Sequence, residues 1–208
     1  MPVLLETLKI GILISGRGSN MRAILAAIKN KQLAAECTAV LSNKSEVQGL
    51  AIAHEYKAPP YVIDPKNCPS DTVYEEYVVK ILKKQKVELI ILAGYMKIVG
   101  KTLLNAYHNK ILNIHPALLP SFKGLHAQRQ ALEAGVKVSG CTVHFVNNEL
   151  DGGPIILQEA VPVLETDTEN TLSKRILEKE HQIYPAAIQL YAENRLDIVR
   201  NKVKIKEK

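Results

Sequence analysis

Asn113, Ile114, His115 and Pro116 stand in a row, and Asp151 opens the run Asp-Gly-Gly-Pro at 151–154. Alternate side chains of an extended strand share a face, so Asn113 and His115 point the same way while Ile114 turns to the core and Pro116 ends the ladder. An amide donor, an imidazole and a carboxylate suit a reaction through a tetrahedral intermediate. The amide stabilises a developing oxyanion, and the carboxylate orients the imidazole and favours its protonated form. Each residue alone has a plainer reading: Asn113 can satisfy a loop, His115 can be a half-buried strand tip, and Asp-Gly is a common turn between strands. It is the combination that points to chemistry. No serine or cysteine nucleophile signature accompanies it, so the attacking group belongs to a substrate.

A second constellation lies near the start, in Ser15-Gly16-Arg17-Gly18-Ser19-Asn20. A short apolar run enters this loop and a helical pattern leaves it. Glycine lets the backbone approach a ligand closely, and a new helix offers unpaired N–H groups at the positive end of its dipole. Phosphate is the natural guest of Gly18, Ser19 and Asn20, although Ser19 and Asn20 are also residues that cap helices. A dinucleotide fits less well. Met21 stands where tight helix packing favours Gly or Ala, and the second strand ends in Ser42-Asn43-Lys44 without the acidic residue that would hold a ribose diol.

These residues need a scaffold, and the apolar pattern supplies one. Strands are expected over Lys9–Ser15, Ala35–Ser42, Tyr61–Asp64, Glu88–Ala93 and Ile111–His115. Helices are expected over Ser19–Asn30, Glu46–Tyr56, Asp71–Lys84, Lys101–Tyr107 and His126–Glu133. Ser139–Val146 and Ile155–Val163 read as a hairpin-like pair of strands, and Glu169–Tyr191 as a long last helix that Pro185 should kink or break. Doubly apolar strands alternating with helices imply an α/β fold, an open and mostly parallel sheet with helices on both faces, Rossmann-like. The two constellations then fall at carboxyl ends of strands, where such sheets form their ligand crevice.

Composition narrows the classes. The 208 residues are 47% hydrophobic and 23% charged, ordinary globular usage that excludes disorder and coiled coil. A single domain over 1–208 is expected. The net charge of +6 raises nucleic acid as a partner, but two Phe, no Trp and a basic tail from Arg200 to Lys208 read better as a solvated face. No run approaches the ~18 apolar residues of a membrane helix, so no membrane partner is expected. Cys37, Cys68 and Cys141 show no metal-ligand spacing, and reduced thiols fit a cytoplasmic protein with no metal.

Several motifs in one order carry the reading further. They are Ser15 to Asn20, Leu92-Ala93-Gly94-Tyr95-Met96, Leu112 to Pro116 with Leu118-Leu119-Pro120, Gly140 to Phe145, Glu149 to Pro154, and Glu180-His181 with Tyr184-Pro185. Over essentially its whole length the chain resembles the phosphoribosylglycinamide formyltransferases, folate-dependent enzymes of purine biosynthesis. The resemblance implies transfer of a formyl group from 10-formyltetrahydrofolate, a co-substrate, to the amine of phosphoribosylglycinamide, without a metal. It implies that Gly18, Ser19 and Asn20 hold the substrate phosphate and that Glu180 contacts the ribotide. Met96, Lys97, Ile98 and Val99, with Asn148, Glu149, Leu150 and Asp151, would line the folate pocket. Asn113 and His115 would flank the formyl group, with Asp151 supporting the histidine, and His126 and His144 would be supporting residues.

Two positions depart from the pattern. Lys97 stands where an arginine is also seen, keeping the charge but losing the planar fork. Asp71 heads a helix where a basic residue would meet the folate, a contact that a carboxylate cannot make. The implied partners are small molecules, and a homodimer is compatible with the sequence.

Overall fold

The computed structural model describes residues 7–207. Its strands β1 (Leu8–Ile14), β2 (Ala35–Ser42), β3 (Pro60–Val62), β4 (Leu89–Leu92), β5 (Ile111–His115), β6 (Val138–Phe145) and β7 (Ile155–Pro162) form one sheet in the order β3-β2-β1-β4-β5-β6-β7. The first five run parallel; β6 is antiparallel to β5 and β7 to β6. Strand order reverses between β1 and β4, so the chain leaves those neighbours in opposite directions and opens a crevice at their carboxyl ends.

Helices α1 (Ser19–Lys29), α2 (Gln48–Glu55), α3 (Asp71–Lys84), α4 (Lys101–Ala106), α5 (Ala127–Glu133) and α6 (Glu169–Ala192) complete the layers. One core lies beneath α1 and α6, where Ile10, Ile12, Ile14, Leu89, Ile91 and Leu112 meet Met21, Ile24, Tyr184 and Ile188. On the other face Leu13, Leu41, Ile90 and Ile111 pack on Tyr74, Val78, Leu82 and Leu103. Both faces of the central strands are thus dry, and their sequences are near-continuous apolar runs rather than alternating ones.

The long helix is held by that packing. Leu172, Ile176, Glu180, Tyr184, Ala187 and Ile188 form its buried stripe. The Tyr184 hydroxyl shares its hydrogen between the carbonyls of Leu92 and Leu112, each 3.0 Å away, which ties α6 to β4 and β5. Of the kink or break expected at Pro185, the break does not occur: α6 runs through it as a single element, because burial on either side outweighs one lost hydrogen bond.

The sequence reading placed no strand after the last helix, yet β8 (Leu196–Val199) and β9 (Lys202–Ile205) form an antiparallel hairpin. Its Arg200, Lys202, Lys204 and Lys206 are exposed, the solvated basic face that was expected. Leu196, Ile198 and Val203 pack against the larger core, while Lys202 and Lys204 face outward. Charge count hid an alternating pattern.

Candidate active site

At the head of α1, Gly18 sits at φ +75°, and a Cβ there would lie 2.9 Å from the Gly49 Cα. Glycine is required on both counts. No side chain caps this helix, and its first internal bond runs from the Arg22 N–H to the Gly18 carbonyl. The amides of Ser19, Asn20 and Met21 therefore point out of the helix start without intrahelical partners, as an anion-binding turn requires. The capping alternative for Ser19 and Asn20 does not apply.

The Asn20 side chain does something else. Its Nδ2 donates to Glu180 Oε2 at 2.7 Å, both residues are buried, and its Oδ1 has no hydrogen-bond partner. Burial pushes the Glu180 carboxyl above its ordinary range, opposed by that hydrogen bond. Gly18, Ser19, Asn20 and Glu180, separated by up to 162 positions in sequence, are thus brought together.

The second cluster forms where β5 meets β6. Asn113 is directly opposite His144 in the ladder, and His115 is opposite Thr142. Asn113 Nδ2 lies 3.2 Å from His144 Nε2, and His144 Nδ1 lies 2.8 Å from the Phe145 carbonyl. A carbonyl can only accept, so Nδ1 carries hydrogen and Nε2 accepts from Asn113. Burial lowers the His144 pKa and keeps that ring neutral, against the smaller opposing effects of the Phe145 carbonyl and Asp151. One amide hydrogen of Asn113 is thereby fixed and the other is left for a ligand.

His115 is 5% exposed. Its Nε2 donates to the Phe122 carbonyl at 2.8 Å, and its Nδ1 is 3.5 Å from Asp151 Oδ2. An acceptor oxygen faces each ring nitrogen. At 3.5 Å, Nδ1 is the less committed nitrogen. Asp151 holds this pose through the Gly124 amide, which donates to Oδ2 at 2.8 Å, and its Oδ1 lies 3.8 Å from His144 Nε2. The carboxylate therefore stands between two histidines and staples the 117–126 loop to the 148–154 turn.

Asp151 adopts φ +48°, a conformation uncommon for a residue with a Cβ, and Gly153 packs so closely that a Cβ would run into the Phe145 carbonyl oxygen. Phe122 and His126 are also at positive φ, at 54° and 59°. His126 is exposed, 3.9 Å from Glu169, and takes no part in the cluster. His144, expected only to support, accepts from Asn113 and stands 3.8 Å from Asp151. The β5–β6 register that places it opposite Asn113 is not revealed by any local pattern.

The remaining wall follows β4. The Met96 amide donates to Ser15 Oγ at 2.8 Å, linking this segment to the phosphate loop. Met96 and Ile98 are 66% and 80% exposed, and Val99 packs on the α3 side. Lys97 Nζ bonds Asp71 Oδ1 at 2.7 Å and lies 5.3 Å from the Tyr74 ring centre. Asp71 thus holds the lysine. Across the crevice Asn148, Glu149 and Leu150 are exposed on the catalytic turn. Among the described residues no group of His, Cys, Asp and Glu has the arrangement of a metal centre.

Residues 8–188 match the formyl transferase family. The chain is 41% identical over 181 residues to the phosphoribosylglycinamide formyltransferase of Bacillus subtilis, covering 87% of this chain and 93% of that protein. It is 48% identical over 190 residues to the trifunctional purine biosynthetic protein adenosine-3 of Gallus gallus, but spans only 19% of that protein's length, against 91% of its own. The solved glycinamide ribonucleotide transformylase 1 of Symbiobacterium toebii superimposes with a TM-score of 0.96 at 48% identity, covering 97% of this chain and 95% of that one. A formyltetrahydrofolate deformylase from Pseudomonas syringae is also similar, with a TM-score of 0.88 at 26% identity over 97% of this chain and 66% of that one. With the match spanning the crevice, both clusters and all seven strands, the chain belongs to the formyl transferase family.

Proposed function

We propose that the protein transfers the formyl group of 10-formyltetrahydrofolate to the amine of N1-(5-phospho-D-ribosyl)glycinamide, a step of purine biosynthesis. The observation that carries this reading is the convergence of Asn113, His115 and Asp151 beside a glycine turn whose amides suit one phosphate. The phosphate binds at the start of α1, with Glu180 on the ribotide, and the amine reaches toward the end of β5. The folate lies between Met96–Val99 and Asn148–Asp151 with its formyl group against Asn113.

The neutral amine attacks the formyl carbon, forming the new C–N bond and placing negative charge on the formyl oxygen. The free amide hydrogen of Asn113 and the Nδ1 hydrogen of His115 stabilise that oxygen. Collapse breaks the bond to folate N10, N10 takes up a proton, and the former amine loses one. Products are formylated glycinamide ribotide and tetrahydrofolate. Asp151 stabilises the charged imidazole and keeps it in place. No covalent enzyme intermediate is needed, since binding two substrates in one crevice supplies the proximity. The reading places the protein in the cytoplasm, with small molecules as its partners.

The test is to incubate both substrates with the protein, follow the folate absorbance change, and omit each substrate in turn. The reading expects a change only when both are present, with formylated ribotide as product. Release of formate without ribotide would mean that water is the nucleophile.

A further inference from the structure

The matched family region stops at residue 188, and the C-terminal hairpin lies beyond it. Its tip nevertheless reaches the catalytic turn: Asn201 Nδ2 donates to the Gly152 carbonyl at 3.4 Å, next to Asp151. We infer that Asn201 is a positioning residue for formyl transfer, acting through the Gly152 carbonyl to hold the Asp151 turn against His115.

Three features require an outside support there. The turn carries strain, with Asp151 at φ +48°, and two glycines in succession leave it no side chains to wedge it in place. Its internal bonds all lie at one end, from the Glu149 amide to Asn147 Oδ1 and from the Gly152 amide to the Glu149 carbonyl. Behind it is a cavity of about 520 Å³, lined by Leu119, Pro120 and Lys123 on one side and by Asn201, Lys202 and Val203 on the other. On that side the turn meets open space, and its close packing is confined to Gly153 against the Phe145 carbonyl. The Asn201 hydrogen bond spans the rim of that cavity.

The hairpin can bear this load because it is anchored. Leu196, Ile198 and Val203 dock on the core, and Arg195 closes its open end, accepting from the Lys206 amide through its carbonyl and donating from Nε to the Lys206 carbonyl at 2.7 Å. Movement at Asp151 would pass directly to its two partners, the Gly124 amide and the His115 ring. One consequence is chemical and another concerns the folate, whose pocket includes the same turn; among the described residues the phosphate turn of α1 shares no hydrogen bond with it.

The inference rests on the proposed transfer reaction, and its test separates the two. In Asn201→Ala and Asn201→Asp, neither of which can donate to Gly152, kcat falls about three- to tenfold, the range of one neutral hydrogen bond. KM for folate rises, KM for the ribotide and the Tm stay at wild-type values, and Asn201→Gln restores kcat. Amide hydrogen exchange in the ligand-free protein gives an independent reading: the Gly124 amide exchanges faster in Asn201→Ala. Wild-type kinetics and wild-type Gly124 exchange in both donor-less variants would overturn the inference, as would losses shared equally by both substrates. A wild-type protein without transferase activity would instead overturn the proposed reaction and leave the exchange measurement to decide the role of Asn201.

Discussion

The phosphate turn and the catalytic turn sit in one crevice but are built in opposite ways. At the head of α1 the groups offered to a ligand are backbone amides, fixed once strand β1 feeds into a helix and Gly18 permits the turn. At the end of β5 they are side chains from three segments, held by hydrogen bonds from a loop and a turn with Phe122, His126 and Asp151 at positive φ. The first region is a by-product of regular structure; the second depends on particular contacts. A site made of backbone should lose affinity gradually, and one made of stitched side chains should fail at single substitutions.

The sharpest break is expected at Asn113. Asn113→Ala removes the free oxyanion donor and should lower kcat by about 10² to 10³ with the fold intact, since His144 then loses only a neutral partner. Gly153→Ala follows. Its new Cβ would meet the Phe145 carbonyl, so the turn must shift, and a misplacement of about 1 Å in a catalytic group costs about 10² in rate. Steady-state kinetics should show that loss with ribotide affinity little changed.

The backbone-built region should respond less. Asn20→Ala leaves the phosphate amides in place but takes from Glu180 its one side-chain donor among the described residues, so ribotide affinity should fall about tenfold, as for one hydrogen bond to a charged group, while folate affinity holds. Calorimetric titration with each substrate separates the two. Smallest is the effect of Glu180→Gln on the free protein. Burial raises the Glu180 pKa, so above its ordinary value of 4.5 the folded state retains a proton that the unfolded state has released, and stability falls as pH rises. Gln removes that penalty: the Tm should rise slightly at neutral pH, not at pH 4, while ribotide binding weakens.

The same contrast explains what could be read from the chain. Strands β1 to β5 and their helices follow from apolar runs and glycines, and the phosphate turn follows from those elements. Asn113 and His115 were legible as a pair through strand parity alone. The contact of Asn113 with His144 was not, because it depends on which residue of β6 the ladder sets against Asn113. Asp71 was legible only as a departure, and its hold on Lys97 needed the approach of α3 to the β4 loop. The hairpin after α6 was masked by its lysines, whose charges outweighed the alternation of Leu196, Ile198 and Val203.

The most direct test of the catalytic cluster is kcat in Asp151→Asn, measured beside the ribotide affinity of the same protein. The carboxylate accepts from the Gly124 amide and faces His115 Nδ1, so removing its charge must slow the reaction without loosening the ribotide. The result expected is a kcat lowered at least about tenfold, as for hydrogen bonds to a charged group, with wild-type ribotide affinity. A wild-type kcat in the folded variant would contradict it and leave Asp151 a turn residue.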